Sequence, residues 1–268
     1  MRKDATVSGA KPTASRKRHP SRLKRGWIPN YHGAWAMIII PPLVGIIEGG
    51  FRPAHIALLA TWWAGYFLFF AATVWLRSRM KKRYVAPVIA YGIVTAMAGL
   101  VTWWAAPYLW RWVPIFIPLV AVAGWAAWKR KDRTLGAGLD TVVAASLLLP
   151  VTWDVATAGE AGLAATSLIW TQTALLFGYF AGTVFYVKTN IRERTSNGYL
   201  VASITWHAVW LVAAAIVSNP WHTAVWVFLL ARAIAVPVMG RRGRPASVKA
   251  IGVAEVFTSV LVTVTLLI

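Results

Sequence analysis

The chain has 268 residues, 58% of them hydrophobic and only 13% charged. A soluble domain averages about 45–50% apolar and about 25% charged residues, so this composition excludes a soluble globular domain and implies a polytopic membrane protein. The formal net charge is +20, with eight carboxylates and no cysteine, which removes disulfides, thiolate nucleophiles and zinc–thiolate sites.

Residues 1–26 are rich in Lys, Arg, Ser, Thr and Pro. Such a segment has too little apolar surface to fold, so a disordered basic cytoplasmic tail is expected. Residues 27–268 are expected to form a single transmembrane helical domain. A membrane helix needs about 20 mostly apolar residues. Nine runs fit, at roughly 31–48, 54–76, 85–105, 110–128, 138–156, 162–187, 199–217, 221–239 and 250–268. The expected fold is therefore an all-α bundle of about nine transmembrane helices. Pro41-Pro42 interrupts the first run and Pro150 the fifth. A proline persists in a membrane helix when neighbours satisfy the carbonyl it frees. The first run ends in IIEGGFR, with no small-residue cleavage site, and reads as an uncleaved helix.

Positive charge alternates from loop to loop. The tail holds nine Lys and Arg, RSRMKKR after the second run five, KRKDR after the fourth four, KTNIRERTSNG after the sixth three, and GRRGRPASVK after the eighth four. Only Arg52, Arg111 and Arg232 lie elsewhere. The positive-inside rule then places the N-terminus in the cytoplasm and the C-terminus outside, in a multi-pass protein of the bacterial plasma (inner) membrane. Topology thus accounts for the basic excess. Membrane lipids with anionic headgroups are the expected partners, nucleic acid is not, and nothing points to a particular protein partner.

An ionisable residue within the hydrocarbon is a functional hypothesis by default. Arg232 in FLLARAIAV and Glu255 in GVAEVF lie on consecutive antiparallel helices. Both sit roughly 9–12 Å inside the basic boundary by helical rise. They are expected to form a buried ion pair, as a hairpin lock or as a moving element. His207 in ITWHAVW lies at similar depth, either as a structural residue or near the floor of a pocket. No second His follows at i+3 or i+4, so no metal site is expected. In PNYHGAWAM, Pro29 forces Ile28 out of helical geometry. Asn30 then caps the first helix, or lines a cavity rim together with His32. After the sixth run, Lys188 and Arg192 share one helical face, and Asn190 and Arg194 another. Two cations on one face suit a phosphate or carboxylate; the alternative is an ordinary basic loop. The candidate ligand-binding set is Asn30, His32, Lys188, Asn190, Arg192 and His207. GYFAG, from Gly178 to Gly182, is a small-xxx-small packing motif. Asp140 is expected to cap the fifth helix, and His55 and His222 to lie at the outer face. No nucleophile–base constellation is visible, so no catalytic residue or cofactor is assigned.

PNYHGAWAM, FAGTVFYVKTNIRER and RAIAVPVMGRRGRPASVKAIGVAEVF together resemble the YwiC-like family of bacterial membrane proteins, from about Trp27 to the C-terminus. The resemblance implies a polytopic membrane protein and no particular reaction. A more distant resemblance, in helix count, N-terminal side and polar cytoplasmic ends of helices 2 and 6, is to the UbiA superfamily of intramembrane prenyltransferases. Those enzymes hold Mg²⁺ and an isoprenyl diphosphate on Asp-rich motifs at these positions. Here LRSRMKKR carries no carboxylate and KTNIRER carries only Glu193, too few hard oxygen ligands for that site.

The expected function is handling of an anionic or isoprenoid-type lipid in a cytoplasm-facing intramembrane pocket. A small transporter or flippase, and a non-catalytic membrane assembly subunit, are the alternatives. Reporter fusions after Ser78, Lys131, Asn197 and Arg242 are expected to report cytoplasm, and fusions at Gly50, Pro107, Gly159 and Asn219 the exterior. Two adjacent loops on one side would break the nine-span topology.

Overall fold

The structure, a computed structural model, describes residues 26–29, 34–160 and 162–268. The tail before Gly26, and with it Asn30 and His32, lies outside the described residues. The helices are α1 (Ala34–Gly49), α2 (Ala54–Arg77), α3 (Val85–Ala105), α4 (Val113–Trp128), α5 (Leu135–Ser146), α6 (Leu148–Ala156), α7 (Ser167–Ile191), α8 (Asn197–Val217), α9 (Pro220–Arg241) and α10 (Val248–Leu267). Short 3₁₀ turns, Lys82–Tyr84 and Pro107–Trp112, lead into α3 and α4. The described residues form no strand, and the fold is all-α.

Eight segments are long and apolar enough to cross a membrane, with α5 and α6 together forming one, Leu135–Ala156. The described part of α1 is a shorter apolar helix of 16 residues. The chain is a multi-pass membrane bundle whose helices follow the expected order. The fifth span is divided at Leu147 because Pro150 has no N–H to offer the carbonyl of Ser146 four residues back. Pro42 likewise frees the carbonyl of Ile38. There the indole Nε1 of Trp62 on α2 donates to it at 3.0 Å, so α1 stays helical through its proline pair. At the start of α5, Thr134 is the residue that caps, accepting from the Ala137 amide. Asp140 lies one turn further in, too late to reach the orphan amides of the first turn.

Small residues set how closely the helices approach. Gly45 and Gly49 are one turn apart on α1, and a Cβ on Gly45 would meet the Leu149 carbonyl and the Thr152 hydroxyl of α6. Gly178 and Gly182 do the same on α7, where a Cβ would meet Trp210 and then the His207–Trp206 edge of α8. Trp206 Nε1 also donates to the Gly178 carbonyl at 2.9 Å. GYFAG is therefore the seam between α7 and α8. Helix α7 is the most buried span and touches α1, α5, α6, α8, α9 and α10. By contrast α3 and α4 pack at the periphery and turn most of their apolar side chains outward, as lipid-facing helices do.

The basic loops meet at one end. Arg77 pairs with Asp132 at 3.0 Å, and Lys188 Nζ donates to the Arg133 carbonyl at 2.8 Å. Arg241 donates to the Ser196 carbonyl at 2.8 Å and to Asn197 Oδ1 at 2.6 Å. The Tyr91 hydroxyl donates to the Trp27 carbonyl at 2.6 Å, holding the start of the described chain at this end too. At the opposite end both cations serve loop structure. Arg52 Nε donates to the Ala156 carbonyl at 2.6 Å, and Arg111 Nη2 to the Gly159 carbonyl at 2.8 Å. Buried Asp154 accepts there from Trp112 Nε1 at 2.9 Å and from the Gly162 amide at 3.0 Å.

Gly45→Ala forces α1 off the α6 backbone, and overpacking of this kind costs roughly 1–3 kcal/mol. A Cβ on Gly65 meets only a Thr95 methyl at 3.9 Å. The first variant is expected to lose folded yield in fluorescence-detected size exclusion and the second to match wild type. Equal behaviour would remove the close α1–α6 approach.

Candidate functional site at the basic end

A cavity of about 430 Å³ opens at the basic end. Thr189 and Asn190 line it from the last turn of α7, and Arg194 and Thr195 from the loop that follows. Pro237, Gly240 and Arg241 close it from α9, with Pro245 and Ala246 from the α9–α10 loop. Local hydrogen bonds hold these walls. Asn190 Nδ2 donates to the Tyr186 carbonyl at 2.9 Å, and Thr189 Oγ1 to the Phe185 carbonyl at 2.9 Å. Arg194 Nε donates to the Asn190 carbonyl four residues back. The guanidinium of Arg241 is occupied by the α7–α8 loop, whereas Arg194 stays exposed at the mouth.

Beneath the cavity lies the expected ion pair. Arg232 and Glu255 are each 7% exposed. Arg232 Nη1 donates to Glu255 Oε1 at 2.5 Å. The second carboxylate oxygen accepts from Thr183 Oγ1 at 2.9 Å. Deeper along α7, the Tyr179 hydroxyl bonds Thr258 Oγ1 at 3.0 Å and Ser259 Oγ at 2.9 Å. The ring of Tyr186 lies over the Arg232 guanidinium carbon at 4.2 Å, a cation–π contact. Tyr179, Thr183 and Tyr186 are spaced by four and three residues, so one face of α7 supplies them all. That stripe was visible inside GYFAGTVFY, but its partners are distant in the chain.

The candidate residues separate. Asn190 lines the cavity, with Arg194 on the same face as the helical spacing requires. Lys188 turns to the α4–α5 loop, and Arg192, the C-cap of α7, is exposed outside the lining. His207 is 2% exposed, and its Nδ1 bonds the Ser203 carbonyl at 2.7 Å. Its ring packs over Gly182 and 6.4 Å from Trp226, against α7 and away from the cavity lining. His55 and His222, expected at the outer face, are fully buried there. His55 bonds the Thr152 carbonyl at 2.8 Å, and His222 accepts from Trp226 Nε1 at 3.1 Å.

A larger apolar cavity, about 650 Å³, lies between α2, α3, α4 and α6 and includes Trp62, Gly65, Gly99 and Phe116. Its hydroxyls on Thr61, Thr95 and Thr102 are already bonded within the helices. It suits hydrocarbon and offers no chemistry.

Residues 28–153 match the family model described as YwiC-like protein. The resemblance to YwiC-like proteins is borne out. The chain is 29% identical over 231 residues to the uncharacterised protein YwiC of Bacillus subtilis (strain 168), across 85% of this chain and 92% of that one. It is 24% identical over 188 residues to an uncharacterised protein of Haemophilus influenzae, across 67% of this chain and 74% of that one. No solved structure matches the chain. The UbiA-like arrangement finds no support in these comparisons. The family model covers the chain from Ile28 to α6, so the cavity-lining residues lie beyond it.

Removing one partner of a buried ion pair strands the other charge, at about 3–5 kcal/mol in soluble proteins. Arg232→Leu and Glu255→Leu are each expected to lower folded yield, and the double change to recover much of it. Silent single changes would mean that the pair does not hold in the membrane.

Proposed function

We propose that this protein binds the anionic headgroup of a membrane lipid in the cavity at the basic end, with that end facing the cytoplasm of the bacterial plasma membrane and the C-terminus outside. The observation that carries this reading is that two arginines, Arg194 and Arg241, line one cavity where span ends meet basic loops. Asn190, Thr189 and Thr195 add hydrogen-bonding groups to the same walls. Arginine suits phosphate because its planar fork donates two parallel hydrogen bonds. Arg241 already holds the α7–α8 loop, so Arg194 is the residue whose guanidinium is placed to meet a ligand. The surrounding basic loops raise the local concentration of anionic lipid. Lys188 and Arg192 contribute to that field without lining the cavity, and His32 and Asn30 remain candidates for its rim by sequence alone.

A second reading, transport or lipid flipping, is favoured by the buried Arg232–Glu255 pair, since intramembrane charges recur in proton-coupled carriers. Flux into proteoliposomes that follows an imposed proton gradient would support it.

Arg194→Ala is expected to leave folding intact and to lower co-purified phosphatidylglycerol severalfold relative to phosphatidylethanolamine, as read by native mass spectrometry. Arg192→Ala, outside the cavity, serves as the charge-matched control. An equal loss in both variants would reduce the effect to general surface charge.

A further inference from the structure

We infer that the Nε/Nη2 edge of the Arg232 guanidinium is a binding subsite for a neutral carbonyl oxygen carried by a membrane-borne ligand, below the headgroup cavity. This rests on the headgroup reading for the route of entry but on separate atoms for the contact. Arg232 uses only one of its nitrogens. Nη1 meets Glu255 and, at 3.4 Å, Thr258, while buried Nε and Nη2 meet no acceptor among the described residues. Those two nitrogens form the fork with which arginine grips oxygen. Leaving such donors unmatched inside a bundle is costly, so a buried pair of them marks a place where an acceptor belongs.

Charge selects the acceptor. Arg232 and Glu255 together are neutral. A phosphate or carboxylate at the fork would leave a net negative charge in a low-dielectric layer, which is strongly disfavoured. A ketone or ester carbonyl accepts the same hydrogen bonds and leaves the site neutral.

Position supplies the route. Arg232 precedes the cavity-lining Pro237 by five residues of α9, about 7.5 Å of helical rise. Between them lies a small cluster of Tyr186, Ala233 and Ile251, and Ala246 both packs on that cluster and lines the cavity. The Tyr186 ring covers the guanidinium face. A glycerolipid carries its ester carbonyls a few bonds below its phosphate, so a headgroup held by Arg194 points them toward this layer. A ring ketone on an isoprenoid tail is the other source of the same chemistry.

The test compares ester-linked phosphatidylglycerol with its ether-linked analogue, which keeps the phosphate and lacks the carbonyl. Equal amounts are offered together to the full-length protein, and the bound ratio is read by native mass spectrometry. A short-chain benzoquinone is offered separately. The wild type is expected to prefer the ester by about tenfold, the range of a hydrogen bond from a charged donor. Arg232→Lys keeps the charge opposite Glu255 but removes the fork, and is expected to bring the ratio to unity. A ratio of unity in wild type, with benzoquinone bound by wild type and lost in Arg232→Lys, supports the subsite with a ring ketone as its source. Unity without benzoquinone binding overturns the inference, and so does an ester preference that survives in Arg232→Lys. Should that variant not fold, a wild-type ratio of unity without benzoquinone binding still overturns the inference. If neither phosphatidylglycerol binds, the headgroup reading fails, and the benzoquinone arm alone decides the subsite.

Discussion

A polar atom inside hydrocarbon has to find its partner within the protein, and the packing of α7, α9 and α10 follows from that. Glu255 places a carboxylate within the membrane layer, and Arg232 and Thr183 come to it from two other helices. Tyr179 then ties α7 to α10 through two hydroxyls one turn deeper. Hydrophobic burial does little to choose between helix neighbours when the solvent is itself apolar. These directional bonds choose instead, and they make α7 the helix around which the others are placed.

The same constraint explains the prolines. Pro42 and Pro150 each free a carbonyl, and the chain answers differently in the two places. Trp62 reaches across from α2 to the Ile38 carbonyl, so α1 continues. At Leu147 the helix is divided, with α5 packing mainly on α7 and α4, and α6 mainly on α1. Glycine makes the remaining close approaches possible. Gly45 brings α1 against the α6 backbone, and Gly178 and Gly182 seat the Trp210 and His207 rings of α8. His207 is thereby committed to the α7–α8 seam, which is why this intramembrane histidine stays out of the lining of the basic-end cavity.

Charge works on two scales. Across the described residues, the basic loops gather at one end and bond to one another through Arg77, Lys188 and Arg241. Within the bundle, one neutral ion pair is enclosed with hydroxyls around its carboxylate. The cavity stands where the two scales meet. Its mouth is cationic and its floor is an apolar layer, with the half-satisfied Arg232 beyond it.

Helix positions, order and the gathering of charge at one end were legible in the sequence because they depend on local quantities, run length and loop composition. The Arg232–Glu255 pair was legible because two helices joined by a short loop must lie antiparallel, which matches depth to distance along the chain. Asn190 and Arg194 fell on one face by helical periodicity alone. What sequence could not decide was rotation and closure. Whether Lys188 or Arg194 lines the cavity depends on how α7 is turned against α9. That angle is set by Gly178, Gly182 and the Tyr179 bonds to residues some 80 positions away. Arg241 joined the cavity, and His55 and His222 at the outer end are buried, for the same reason. Their partners come from helices that only tertiary packing brings near, and a partner's identity is what distinguishes a buried polar residue from an exposed one.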